Sequence, residues 1–162
     1  MRKIISRTLI LTLIMLLGTL AANAQVKSLE KYADMKNVTY VFISKAMLGM
    51  AQKATTPSVP GMEMKKVMPK LSGIQIISSE NKSASAKMKA DVADIIRKEK
   101  YEVLMQVDDD GEKVRIYHHE GKPQSAIIMI TEADKELTII AFSGKFSLND
   151  VKGMIDVSGD DD

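Results

Sequence analysis

The chain has 162 residues, no cysteine, no tryptophan and a formal net charge of +2. Without cysteine it carries no disulfide, no thiol nucleophile and no thiolate metal site. Three of its bases (Arg2, Lys3 and Arg7) lie in the first 24 residues, which hold no acid, so the remainder stands at −1. That remainder lacks the cationic excess required of a nucleic-acid binder or a basic membrane-surface patch.

The basic start is followed by an apolar run from Leu9 to about Ala22 and then by Ala22-Asn23-Ala24. This is the three-part pattern of a secretory leader, with cleavage expected before Gln25. The run is short for a membrane-spanning helix, which needs roughly 20 apolar residues. The expected organisation is a leader at 1–24, one domain at 25–156 and an acidic, disordered tail at 157–162. No stable membrane span is expected once the leader is removed, and the protein is expected in the periplasm or outside the cell.

Gln25–Asn37 reads as a polar segment with one short helix. Val38–Ile43 (VTYVFI) is β-branched and aromatic, the composition of a strand. Ser44 is well placed to cap a helix over Ser44–Lys53, although Gly49 weakens it. Ala54–Lys70 holds three of the four prolines and reads as a loop. Leu71–Ser79 is a strand. Ser83–Lys100 is the clearest helix: Met88, Val92, Ile95 and Ile96 share one face, with serines at its start and Arg97, Lys98 and Lys100 at its end.

Four strands follow: Tyr101–Val107, Glu112–His119, Gln124–Thr131 and Leu137–Ser143. The short connections DDDG, EGKP and EADKE suit an antiparallel meander. Val103, Met105 and Val107 alternate with Glu102 and Gln106, the pattern of a half-buried strand. In contrast, Ile127 and Met129 oppose Ile128 and Ile130, and Ile139 opposes Ile140 and Phe142. These strands need cover on both faces, from helices, from a wrapping segment or from a partner. Ser147 and Asp150 have capping-box spacing at the start of a last helix, Ser147–Ile155. The fold expected is α+β, a mostly antiparallel sheet of about six strands with the long helix packed on one face.

Few residues suggest chemistry. With Gly111 as the sixth residue of a calcium loop, Gln106 is first and Tyr117 twelfth, so the bidentate glutamate is missing. Asp-Gly between alternating strands is a hairpin signal. His118 and His119 are neighbours on a strand and point to opposite faces, so they read as a surface pair at a strand end rather than as two ligands of one metal. A weaker alternative assembles Asp108, Asp110 and His118 around a metal. Ser143-Gly144-Lys145 lacks the earlier glycine of a phosphate-binding loop, and no G-x-S-x-G is present. Enzymatic activity and a cofactor are therefore not expected; a hydrolase with an unrecognised site is the second alternative. Met47, Met50, Met62, Met64 and Met68 remain. They are read as an adaptable binding surface, with gap-filling core residues and soft Cu(I) ligands as the rival roles.

Four segments in order, VTYVFISKAML, IQIISSEN, YEVLMQVDDDGEKVRIYHHEGK and LTIIAFSGKFSLNDVKGM, make the chain resemble domain-of-unknown-function family 4252, small exported proteins of Bacteroidetes. The resemblance spans nearly the whole chain after the leader and implies one α+β domain in an envelope or extracellular setting, with no established activity. The methionine-rich, proline-containing loop departs from the family pattern. The functional expectation is a non-enzymatic interaction module of the cell envelope, whose partner is another envelope protein or a second copy. The alternative is a protein that binds copper, calcium or a small ligand.

Overall fold

The computed structural model describes residues 26–54 and 67–152. A 3-10 segment, Lys27–Asp34, leads to β1 (Thr39–Ser44) and α1 (Lys45–Ala54). A short 3-10 turn at Met68–Lys70 precedes β2 (Leu71–Ser79) and the long helix α2 (Lys82–Lys98). Four strands then run in succession: β3 (Glu102–Asp109), β4 (Glu112–His119), β5 (Ser125–Ala133) and β6 (Glu136–Gly144). The last described helix is α3 (Leu148–Lys152). The six strands form one sheet in the order β1-β2-β6-β5-β4-β3, and every neighbouring pair is antiparallel. This is the α+β fold anticipated, with its C-terminal four-strand meander. The expected leader (1–24) and acidic tail (157–162) lie outside the described residues.

The doubly apolar strands are explained by cover on both faces. On the first face Ile77, Ile128, Ile130, Ile139 and Ala141 pack against Met88, Val92 and Ile95 of α2 and Leu29 and Tyr32 of the N-terminal segment. On the second face Ile74, Ile127 and Phe142 pack with Leu48 of α1, Met68 of the 3-10 turn, Phe146 and Val151 of α3. The alternation at Ile127-Ile128 and at Ile139-Ile140 therefore feeds two cores separated by the sheet.

Local chemistry sets most boundaries. Asp110 (φ 29°) and Gly111 (φ 98°) form the two-residue turn of the β3–β4 hairpin, since Asp109 pairs with Glu112. Asp134-Lys135 turns β5 into β6 in the same way, with Asp134 at φ 48°. The start of α2 is capped by Asn81, whose side chain accepts from the Ala84 N–H at 3.0 Å, rather than by the serines that follow. The helix ends earlier than its basic run suggests. Lys100 takes a left-handed φ of 56°, and the Tyr101 N–H donates back to the Ile96 carbonyl at 2.9 Å, with Lys100 N–H reaching Arg97. This is a Schellman closure with lysine where glycine is usual. Ser147 and Asp150 make the reciprocal bonds of a capping box, 2.8 Å from the Ser147 N–H to Asp150 and 3.4 Å from the Asp150 N–H to Ser147 Oγ.

Two polar clips fix the N-terminal segment to the first face. Tyr32, fully buried, donates its hydroxyl to Asp91 of α2 at 2.9 Å. Lys31 and Lys87 also reach that carboxylate, at 2.8 and 3.0 Å. The Lys31 hydrogen bond, helped by those from Lys87 and Tyr32, lowers the Asp91 carboxyl to about 2 against the opposing effect of burial. The second clip is Gln75, buried in β2. Its Oε1 accepts from the Val26 N–H at 2.7 Å, and its Nε2 donates to the Val26 carbonyl at 3.4 Å and the Tyr40 hydroxyl at 3.1 Å.

One strand departs from its sequence pattern. Val103 pairs with Tyr117 and Met105 with Ile116, so a bulge between Val103 and Met105 puts them on opposite faces. Val103 therefore leaves the apolar row of Met105 and Val107; both valines of this edge strand are exposed, and Met105 between them is half-buried. Period-two alternation cannot register an extra residue in one strand of a pair.

Candidate functional site

The residues singled out for metal chemistry do not meet. Asp108 pairs with Lys113, while His118 sits five residues further along β4, roughly 16 Å away at the rise of a strand. Asp108 also points to the face that carries Arg115 (3.7 Å), and His118 to the opposite face beside Ile127. Asp110 is in the hairpin turn. Among the described residues no group of three histidines or carboxylates is placed to hold an ion.

The two histidines do point to opposite faces, but His118 is not at the surface. It is 3% exposed, with its ring 6.2 Å from Phe146, and its Nε2 has no hydrogen-bond partner among the described residues. The clustering of Phe146 and Val151 over that end of the sheet closes it in, which the strand-end position did not reveal. His119, on the other face, lies beside Tyr101 with ring centroids 5.2 Å apart. Burial lowers the His118 pKa, outweighing the nearby carboxylates of Glu120 and Glu102, with a smaller lowering contribution from His119. A histidine depressed on folding binds protons more readily when unfolded. Its neutral form contributes fully above the ordinary histidine range, and stability falls as the pH drops through that range toward the folded pKa. Thermal melting between about pH 7 and about pH 5 should therefore show a loss that the His118→Leu substitution flattens. An identical pH slope in the variant would show that other groups control it.

The methionines divide. Met68 is buried in the second core beside the 3-10 turn, so it fills space and is not available to a partner. This corrects its place in the expected binding surface, because the apolar end of a proline-rich stretch does not show which side the core lies on. Met62 and Met64 lie outside the described residues. Met47 and Met50 are 58% and 69% exposed. They stand three apart on α1, a spacing that shares one helix face, while Leu48 turns into the core.

Helix α1 begins directly after β1 with no intervening loop, and Ser44 caps it by accepting from the Met47 N–H at 3.4 Å. β1 is an edge of the sheet. Its sequence TYVFIS holds no charge, no proline and no glycine, and its six residues pair with β2 in unbroken register from Thr39↔Ser78 to Ser44↔Gly73. Val41 is 43% exposed there. Edge strands are usually blunted by charge, proline or a bulge because their outer N–H and C=O groups invite another strand. The opposite edge, β3, has two of those devices: the bulge after Val103 and the carboxylates of Glu102, Asp108 and Asp109. β1 has neither. Sequence reading found the methionines of α1 but not the edge, since nothing within VTYVFI says how many neighbours the strand has.

The cavities are less persuasive. One, of about 620 Å³, is an open depression between turn residues Glu80, Asp134, Lys135 and Glu136. A smaller one of about 210 Å³ lies between Lys27, Ser28, Glu99, Tyr101, His119 and Gln124. It is below the roughly 300 Å³ at which small-molecule sites begin.

Among the described residues no helix is long and apolar enough to cross a membrane. No curated protein and no solved structure matches the chain. A family model described as domain of unknown function DUF4252 matches residues 32–154, from the buried Tyr32 through the whole sheet, and the chain belongs to that family.

Proposed function

We propose that the protein is an exported, non-enzymatic interaction module of the cell envelope, and that its contact surface is the margin formed by β1 and the exposed side of α1. The observation that carries this reading is the edge strand β1, which has no charge, proline or bulge, with Val41 exposed and Met47 and Met50 exposed on the helix that follows. An uncharged strand edge supplies main-chain hydrogen bonds, and flexible thioethers supply an adaptable apolar contact beside it. The leader-like first 24 residues support export, and the scattered placement of Asp108, Asp110 and His118 weighs against the metal-binding alternative.

The test is crosslinking in living native cells, comparing the tagged wild type with a Met47→Lys/Met50→Lys variant. Both side chains are solvent-facing, so the variant should melt with the wild type while its captured material falls by roughly tenfold or more. Undiminished capture by a folded variant, or no capture by the wild type, would contradict the assignment.

A further inference from the structure

We infer that the strand added at β1 comes from a second copy of this chain, giving a two-fold dimer with one continuous twelve-stranded sheet. The inference rests on the reading of the β1 margin as the contact surface and names its occupant.

Three observations favour the second copy. First, TYVFIS can pair with itself. Antiparallel partners must share a face, so a two-fold axis through Val41 sets Thr39 opposite Ile43 of the second copy and Tyr40 opposite its Phe42. Every pair is then uncharged, and one is aromatic on aromatic. Second, the two edges differ in the way that closes an assembly. Pairing β1 with β3 of another copy would repeat head to tail without end. The bulge and the carboxylates of Glu102, Asp108 and Asp109 oppose it, because β1 has no base to receive them. β3 on β3 meets the same bulge and sets like-charged carboxylates against each other, so β1 on β1 remains, and a two-fold contact stops at two copies.

Third, α1 has surface features the isolated domain does not require. A two-fold at β1 puts both copies of α1 on the same face of the joined sheet, on either side of the axis. Met47 and Met50 then have an apolar neighbour.

The absence of cysteine makes the test clean. Val41→Cys and Val107→Cys each introduce the only thiol, one on each sheet edge. Sedimentation of the exported wild-type protein should show dimers that dissociate on dilution. The Val41→Cys protein should join into covalent dimers with a short thiol–thiol crosslinker, and the Val107→Cys protein should not. Val41→Lys places like charges across the axis and should weaken association by roughly tenfold or more while leaving the melting of the dilute protein unchanged. Thr39→Lys, at another exposed edge position, serves if the first variant folds poorly. A wild type that stays monomeric at about 100 μM, with no crosslink through Val41→Cys, overturns the second copy. If that same cysteine then captures a different envelope protein in cells, the interaction reading survives; if it captures nothing, both fall.

Discussion

Gln75→Ala should lower unfolding stability by about 3 kcal/mol, the larger part of it from hydrogen bonds rather than packing. Gln75 is 1% exposed and satisfies both backbone polar groups of Val26 as well as the Tyr40 hydroxyl. Truncation leaves the buried Val26 N–H without its partner, at a cost of about 1–3 kcal/mol, while the Val26 carbonyl keeps the 2.9 Å hydrogen bond from the Leu29 N–H, and the N-terminal segment detaches from the sheet as the cheaper outcome. Gln75→Leu keeps most of the volume and should recover less than half of the loss. Urea titration of both variants separates the two contributions. A leucine variant as stable as the wild type would show that Val26 finds water or another partner. The clip also bears on the contact surface, since Tyr40 is a β1 residue and Gln75 pairs with Phe42 across the β1–β2 ladder.

The second large effect belongs to Gly144→Ala. A Cβ at Gly144 would collide with the Lys70 carbonyl oxygen and lie 2.9 Å from the Leu71 Cα. Both obstacles are backbone, so no rotamer change relieves the overlap. The 3-10 turn would have to move off the end of β6. That movement breaks the 2.9 Å hydrogen bond from the Lys145 N–H to Lys70 and disturbs the Lys70–Asp150 ion pair. It also lifts buried Met68 from the second core. The expected cost is about 3 kcal/mol, the upper range for forcing extra volume into a packed site. A melting temperature within a degree or two of the wild type would mean that the turn yields without loss. Glycine in Ser143-Gly144-Lys145 is thus required by close backbone approach, which replaces any thought of phosphate binding there.

Much of this fold can be read from local chemistry. The strand composition of β2, β4, β5 and β6, the Asp110-Gly111 turn, the Ser44 cap and the Ser147–Asp150 box all depend on residues near one another in the chain. Most of the features that escaped depend on distant residues, and the start of α2 is the local exception. Asn81 displaced the serines as cap because its side chain reaches Ala84, while Ser85 donates instead to the Ser79 carbonyl. The β3 bulge is a property of the pair β3–β4. His118 and Met68 are buried by segments that precede or follow them by many residues, and their own neighbours do not report it. The candidate surface was legible to the same extent: Met47 and Met50 were visible as a pair, but the exposed edge beside them emerges only when β2 turns out to pair with β1 and β6, leaving β1 one neighbour.

The central claim, that β1 is an edge awaiting another strand of the same chain, can be tested on its own hydrogen bonds. Backbone amide exchange should be followed at high and low protein concentration across Thr39–Ser44 and Glu102–Asp109. The account predicts that outward-facing amides of β1 become protected as concentration rises, while those of β3 exchange at one rate throughout. Equal and concentration-independent exchange at both edges would contradict it.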